Sequence, residues 1–506
     1  MSVGSTELAA VGMSDWRHRA TSRWGVAFAL TAAAGVVLRV WIYRSTMGLP
    51  DSDEAIVGLM TRHIIHGQIT TFYWGQAYGG PQEALLAVPG FVLFGSSWLA
   101  LRIVPIVLSG VGALLVWRVG RRTIGEPAAA VAGALFWIWP PFVLFKLTHQ
   151  YDFYGSDVVY CGLLLLLALR VVERPDRLRV GLFGLVAGLA LWQTLQIVPI
   201  AVGVIVWTVR RQPKCLRHAW LAAVLAVLGA LPWLVWNLRH DWGSLRSPID
   251  DTTSYQHRLR LFLSPVMPMI LGTRGAYSQQ LLLPSLLTYA IYLALVILFF
   301  RAAFRSRGKD ISLLYVVVLV FPFVYAISPQ TLWEGDPRYV VVLAPVLALL
   351  FAQVAMTYWR AVGLLAVAGI LSYATLHKLD DWLRTQPQDH PSAPRNLAPL
   401  ISTLDRLHLD RVYANVWIAY VLDFDTDERI VAVQNKFTQL SFANGQATPA
   451  DDPHLRYPPY QDEVRAARHG FVFFRDGLDT IPIVPQLERD GYKQYPVGPL
   501  VVFAPG

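Results

Sequence analysis

Apolar runs of about 15 to 22 residues recur between positions 24 and 376 of this 506-residue chain, and a helix needs roughly 20 apolar residues to cross a bilayer. Hydrophobic residues make up 55% of the chain and charged residues only 15%, with a mean hydropathy of +0.42. No ordinary soluble core absorbs that much apolar surface, so the chain is expected to be an α-helical polytopic membrane protein. After Asp380 the runs stop, and charged residues and prolines become denser. The net charge of +9 raises the question of nucleic acid. Lys and Arg cluster between apolar runs, however, rather than along one face with interleaved aromatics, so the charge is topological and no nucleic-acid partner is expected. Cys161 lies inside a run and Cys215 in a basic loop, which makes no disulfide framework. The first run, 24–43, follows Arg17, Arg19 and Arg23, exceeds a signal-peptide core and precedes no small-residue cleavage site. It reads as a retained anchor.

Five basic clusters mark the inner side of the membrane: Arg17/Arg19/Arg23, Arg118/Arg121/Arg122, Arg170/Arg174/Arg177/Arg179, Arg210/Arg211/Lys214/Arg217 and Arg301/Arg305/Arg307/Lys309. Counting 84–94 as a crossing would put Arg118, Arg121 and Arg122 outside, so that stretch is expected along the interface or re-entrant. Basic clusters at both ends of 180–208 require an even number of crossings there, most simply two helices turning near Thr194. Further spans fall near 98–117, 127–147, 156–172, 219–237, 281–300, 311–328, 339–357 and 361–376. About eleven crossings result. Residues 1–23 then form a cytoplasmic tail and 24–378 the membrane domain, with external loops 44–97, 238–280 and 329–338. Residues 379–506 alternate helical and strand-like pieces and are expected to form an extracytoplasmic α/β domain. Localisation follows as multi-pass in the plasma (inner) membrane.

Asp51, Asp53 and Glu54 directly follow the first run, which places three carboxylates beside lipid. Charges at the mouth of a span are costly to desolvate, so they either do chemistry or mark a helix end in water. His149, Tyr151, Asp152 and Tyr154 form a polar, aromatic group at another outer span end, suited to sugar stacking and hydroxyl recognition, or to an interfacial aromatic belt. His63 and His66 stand three apart on an expected helix, a spacing that suits either metal ligation or an ordinary interfacial helix. Arg39 and Arg102 lie near external span ends, where snorkelling explains them equally well. No phosphate-binding loop, dinucleotide fingerprint or nucleophile elbow occurs in a supporting context.

Asp53-Glu54, Gly67, Tyr73, Gly75-Gln76, Tyr78-Gly79, Glu83, Phe94-Gly95 and Leu101-Arg102 together resemble the bacterial GT-C superfamily of polytopic glycosyltransferases. The likeness is to the group containing protein O-mannosyltransferases and aminoarabinose lipid A transferases. Gly188-Leu189-Ala190-Leu191-Trp192, Pro232-Trp233 with Asn237, and Asp336-Pro337-Arg338-Tyr339 extend it over nearly the whole membrane part. In the tail, Tyr413 to Tyr420 and Arg456-Tyr457 are similar to uncharacterised bacterial members. The resemblance implies a GT-C-like fold, an acidic pair on the first external loop, a lipid-phosphate sugar donor, and a cavity between that loop and the outer helix ends. Nucleotide sugars are confined to the cytoplasm, so an external site independently calls for a polyprenyl-phosphate donor. Asp51 precedes the usual acidic pair, leaving the base open among Asp51, Asp53 and Glu54.

Single displacement with inversion needs a carboxylate to take the acceptor proton, and Asp53 is the nominee. Glu54 orients a donor hydroxyl, binds a divalent metal or faces water. No cofactor beyond that metal is expected. Cations must hold the phosphate leaving group, and the candidates are Arg338, Arg258, Arg260 and Arg274, the loop arginines being equally explicable as headgroup anchors. Tyr73, Gln76, Tyr78, Glu83, His149, Tyr151, Asp152, Asp336 and Tyr339 are candidates for binding sugar or acceptor. The expected enzyme is a membrane hexosyl- or pentosyltransferase acting on an envelope glycan, lipid or protein, with membrane lipid around it. A lipid-linked sugar or polysaccharide transporter is the rival from another class, and an acceptor-binding scaffold a third.

Overall fold

The computed structural model describes residues 4–246, 253–332, 335–355, 357–385, 392–434, 436–443, 446–450 and 455–506. Its first half is a series of helices: α1 (Gly4–Arg44), α2 (Ser52–Ile65), α3 (Gln82–Phe94), α4 (Trp98–Thr123), α5 (Ala128–Ile138), α6 (Pro141–Lys146), α7 (Tyr154–Glu173), α8 (Arg177–Gln193) and α9 (Val198–Arg211). There follow α10 (Ala219–Gly229), α11 (Leu231–Arg239), α12 (Tyr255–Leu261), α13 (Met267–Leu271), α14 (Ser285–Arg305), α15 (Ser312–Tyr325), α16 (Ala344–Ala352) and α17 (Tyr358–Thr385).

Among the described residues, five helices are long and apolar enough to cross a bilayer alone: Arg23–Arg44 within α1, then α4, α7, α14 and α17. Six result if α10 and α11, bent by 68° at their junction, are counted as one. Several expected spans are built from shorter pieces. The stretch 127–147 divides into α5 and α6 around Trp139-Pro140, since a proline has no N–H for the helix ladder. The 339–357 span begins as a tight 3-10 turn, Arg338–Leu343, and only then becomes α16. The pair expected in 180–208 is present as α8 and α9, with the turn at Thr194, whose hydroxyl accepts from the Gln196 N–H (3.1 Å).

The carboxyl-terminal part contains α18 (Ala398–Arg406), β1 (Arg411–Ala414), α19 (Val416–Asp425), β2 (Val431–Gln434), β3 (Lys436–Ala443), β4 (Gln446–Ala450), α20 (Pro458–Ala466), β5 (Gly470–Phe474), α21 (Val484–Arg489), β6 (Tyr492–Val497) and β7 (Leu500–Pro505). Five strands make one sheet in the order β2-β1-β5-β7-β6, with β1 parallel to both neighbours and β7 antiparallel to β5 and β6. Strands β3 and β4 form a separate antiparallel pair.

Two large cores organise the described residues, beside a small cluster of Val171, Val180 and Cys215. One runs through the helices, from Leu38 and Ile42 to Leu376. The other joins α2, α3 and the start of α4 to the sheet, so that Ile56, Leu59, Ala84 and Leu101 share an interior with Tyr420, Val421, Val433 and Val464. Close approach explains Gly58: a Cβ there would lie 2.4 Å from the Phe424 ring. The helix carrying the acidic residues is thus packed from both sides, against α3 and against α19.

Candidate active site

Asp51 caps the amino end of α2, its carboxylate accepting the Asp53 N–H (2.7 Å), and Asp53 and Glu54 occupy the first turn, where the helix dipole favours negative charge. Successive residues on an α-helix point about 100° apart, so the acidic neighbours face different surroundings. Glu54 turns inward and is fully buried. Its Oε1 accepts from Arg102 Nε (2.9 Å) and the Gln150 N–H (2.7 Å), while Oε2 receives Arg102 Nη2 in an ion pair. Burial acts to raise the Glu54 carboxyl, but Arg102 leads the contributions that hold it below its ordinary value. Asp53 instead opens onto a cavity.

That cavity has an empty volume of about 720 Å³ counting its mouth, and is lined by Asp51, Asp53, Tyr73, Gln76, Tyr78, Phe145, Lys146, Tyr151, Phe153, Tyr154, Gln196, Tyr277, Arg338, Tyr339 and Trp417. The loop after α2 supplies Tyr73, Gln76 and Tyr78 and is closed on itself by the Tyr73 N–H to Gly79 carbonyl bond (2.6 Å). Tyr73 donates to the Asp53 carboxylate (3.2 Å) and lies within 3.0 Å of the Asp53 carbonyl. Burial first, then the charges of Asp53 and Glu54, push Asp51 up to about 7.

The same cavity is lined by two cations, Arg338 and Lys146. Asp336 grips Arg338 through its backbone N–H (3.1 Å), Nε (2.8 Å) and Nη2, and also takes the Tyr277 hydroxyl (3.3 Å). Burial would raise the Asp336 carboxyl, but Arg338, backed by Lys146, holds it below its ordinary range. The Asp336 bonds fix the guanidinium at the cavity rim. Lys146, 6% exposed, ends α6 with its ammonium 4.5 Å from the Tyr151 ring centroid and 5.5 to 5.7 Å from those of Phe142, Tyr154 and Phe145. Among the described residues no carboxylate lies within ion-pair distance of it. A caged ammonium with no carboxylate in direct contact, lining the same cavity as a clamped guanidinium, is a ready site for an anion.

Nine sequence candidates therefore meet at the cavity: Asp51, Asp53, Tyr73, Gln76, Tyr78, Tyr151, Tyr154, Arg338 and Tyr339. Others stand elsewhere. Both Glu54 oxygens are taken by Arg102 and Gln150, so it presents none to a substrate or metal. Glu83 is buried against the Ser156 N–H (2.7 Å) and hydroxyl (2.9 Å). His149 lies with its two ring nitrogens at 2.9 Å from the Phe145 and Met47 carbonyls. Asp152 is wholly buried away from the cavity. Arg258 binds the Ala326 (2.9 Å) and Thr253 (2.7 Å) carbonyls, Arg274 binds the Gln279 carbonyl (2.8 Å), and Arg260 is exposed; none lines the cavity.

Arg39 and Arg102 are inside the protein rather than snorkelling: Arg39 bonds the Gly35 and Trp137 carbonyls and the Ser109 hydroxyl. Nor do His63 and His66 form a metal pair. His63 Nε2 meets Glu428 at 2.7 Å and Nδ1 meets Gln68 at 2.6 Å, whereas His66 ends the helix. Among the described residues no three His, Cys, Asp or Glu side chains converge as a metal site. Sequence reasoning did not nominate Lys146, Tyr277, Trp417 or Arg456 for the site, although Trp417 and Arg456 stand in the tail segments singled out above for their family likeness. A signal existed for the first, a lone lysine at the end of an apolar span.

A sequence model of the family described as dolichyl-phosphate-mannose-protein mannosyltransferase matches residues 80–236, from the loop before α3 to α11. No curated protein matches by sequence. Among solved structures, ArnT from Cupriavidus metallidurans in the apo state superposes with a TM-score of 0.61 at 16% identity, covering 96% of this chain and 98% of that one. The same protein bound to undecaprenyl phosphate gives 0.57 at 16% identity over 95% and 97%. The chain shares the fold of ArnT, and its residues 80–236, through the central helices, are similar to the mannosyltransferase family model.

Proposed function

We propose that this protein is a membrane glycosyltransferase that moves one sugar from a polyprenyl-phosphate donor to an envelope glycan, lipid or protein at the external face. The observation that carries the reading is the cavity lined by Asp51 and Asp53 together with Arg338 and Lys146. ArnT, of the same fold, is known bound to undecaprenyl phosphate, which supports the donor class. The carboxylates accept a proton and the cations hold a phosphate, the two demands of the reaction.

In the proposed step the acceptor oxygen attacks the anomeric carbon while Asp53 takes the hydroxyl proton. The bond from that carbon to the donor phosphate breaks, and the polyprenyl phosphate leaves as an anion held by Arg338 and Lys146. One displacement inverts the anomeric centre, whether hexose or pentose is moved. Tyr73, Gln76, Tyr78, Tyr151 and Tyr339 offer hydroxyl, amide and ring faces to the sugar. Asp51, near 7 and so close to the working pH, is the second candidate base.

The topology proposed with this function is about eleven crossings, the six long or bent spans being joined by the shorter helices α5, α8, α9, α15 and α16, with the amino terminus inside and residues 379–506 outside. External placement follows from the basic clusters, and a lipid-linked sugar is the donor that remains available there, where nucleotide sugars are absent.

The test is transfer of radiolabelled sugar from a panel of polyprenyl-phosphate monosaccharides in membranes carrying wild-type protein or Asp53→Asn. Product from wild type alone is expected. Movement of a lipid-linked sugar across proteoliposomes without any new glycosidic bond would overturn the reading in favour of transport, and full turnover by Asp53→Asn would remove Asp53 as base.

A further inference from the structure

We propose that the carboxyl-terminal unit completes the active site, with Arg456 as a positioning residue that orients the Asp53 carboxylate for proton transfer; this rests on the glycosyl-transfer reading above. Arg456 Nη2 reaches Asp53 Oδ1 at 3.4 Å, on the same oxygen that Tyr73 takes at 3.2 Å. No described group donates to Asp53 Oδ2. Two donors from different parts of the fold thus pin one oxygen and leave the other to receive the acceptor proton as the new glycosidic bond forms.

Arg456 is itself held by the second core. Its backbone N–H donates to the hydroxyl of Tyr420 (3.1 Å), a fully buried side chain, and its guanidinium lies 5.6 Å from the Tyr73 ring centroid. Gly75, at φ +68°, lets the loop pass this close, since a Cβ there would stand 2.5 Å from Arg456 Cα. From the same unit, Trp417 lines the cavity.

Stability does not explain the pair. With side chains 19% and 41% exposed, an ion pair at 3.4 Å contributes little to folding. Docking is secured elsewhere: Arg62 to the Phe424 carbonyl and Asp427 (both 2.7 Å), His63 to Glu428 (2.7 Å), Trp98 to Asp425 (2.8 Å). Removing the Arg456 side chain should therefore leave the unit in place and disturb only the carboxylate.

The full-length protein in lipid nanodiscs, supplied with the donor found active in membranes, provides the test. Arg456→Ala should lower kcat about tenfold, as a misoriented reacting group does, with donor KM within about twofold of wild type and the carboxyl-terminal unit as protease-resistant as before. Arg456→Lys should recover part of kcat. Wild-type kcat in Arg456→Ala would overturn the proposal. So would a loss confined to KM, or one that tracks undocking of the unit, because either marks a structural role. No glycoside from wild type with any donor would sink the transfer reading itself, and this one with it; an active wild type indifferent to Arg456 sinks this one alone.

Discussion

Breaking the Glu54–Arg102 pair should cost more stability than any other single ion-pair deletion in the molecule, and removing both partners should restore much of the loss. Glu54 is fully buried and Arg102 nearly so, with side-chain exposures of 0% and 4%. Arg102→Met strips the carboxylate of both guanidinium bonds and leaves only the Gln150 N–H, while also releasing the Gly48 and Leu49 carbonyls. A buried charge so stranded costs about 3–5 kcal/mol. At ~2 °C per kcal/mol, the value for larger domains, the apparent Tm should fall by about 6–10 °C. Glu54→Gln/Arg102→Met places no unpaired charge in the interior, and the same comparison of buried pairs with apolar substitutes predicts recovery of more than half the loss. Thermal unfolding of detergent-purified protein reads both, and transfer assays on the double variant read the chemistry. If Glu54 is a structural anchor for α2 rather than the base, the double variant keeps measurable turnover. Two results would refute the reasoning: a single variant within 2 °C of wild type, or a double variant as unstable as the single.

The remaining predictions concern charge at the site and at its edge. Arg338→Ala and Lys146→Met should each weaken polyprenyl-phosphate binding about tenfold or more, the scale of one lost charge-assisted bond, whereas Arg258→Ala, Arg260→Ala and Arg274→Ala should stay within about twofold in a lipid-phosphate binding assay. Because Asp51 is raised from 3.8 to about 7, the folded protein holds its proton where the unfolded chain has lost it. Stability should therefore decline as pH rises from about 4 to about 7 and then level off. Asp51→Asn keeps a good helix cap and should show a Tm gain over wild type that grows across that window and is flat above it. His63 runs in the same direction at higher pH: burial lowers it, but Glu428 raises it by more, so its contribution is full below 6.5 and lost as pH climbs past the raised value. His63→Ala should destabilise more at pH 6 than at pH 9, measured by protease release of the carboxyl-terminal unit.

What the sequence disclosed and what it hid differ by physical cause. Apolar length and basic clusters are one-dimensional signals, and the helices at 98–117, 156–172 and 361–376 were readable because each is one long apolar run, observed as α4, α7 and α17. Helices assembled from fragments, such as α5 with α6 or the 3-10 entry to α16, were legible in position but not in shape. The acidic segment was legible as chemistry, yet the division of labour within it was not. Asp53 and Glu54 are adjacent in sequence, and only the rotation of about 100° per residue, together with the partner each meets, separates one facing the cavity from one clamped by Arg102. Arg258, Arg260 and Arg274 carried the right charge in an external loop but point to backbone carbonyls or water. Lys146 and Arg456 reach the site from an apolar helix and from a unit some 400 residues downstream of Asp53, at a sequence separation of 403. Both cations are set by long-range packing, and both face a carboxylate that local sequence did reveal. The pattern has a physical logic: an acidic helix start can be written locally, because a cap and the helix dipole favour it there, but the cations that balance it are set by burial, which is a property of the whole fold.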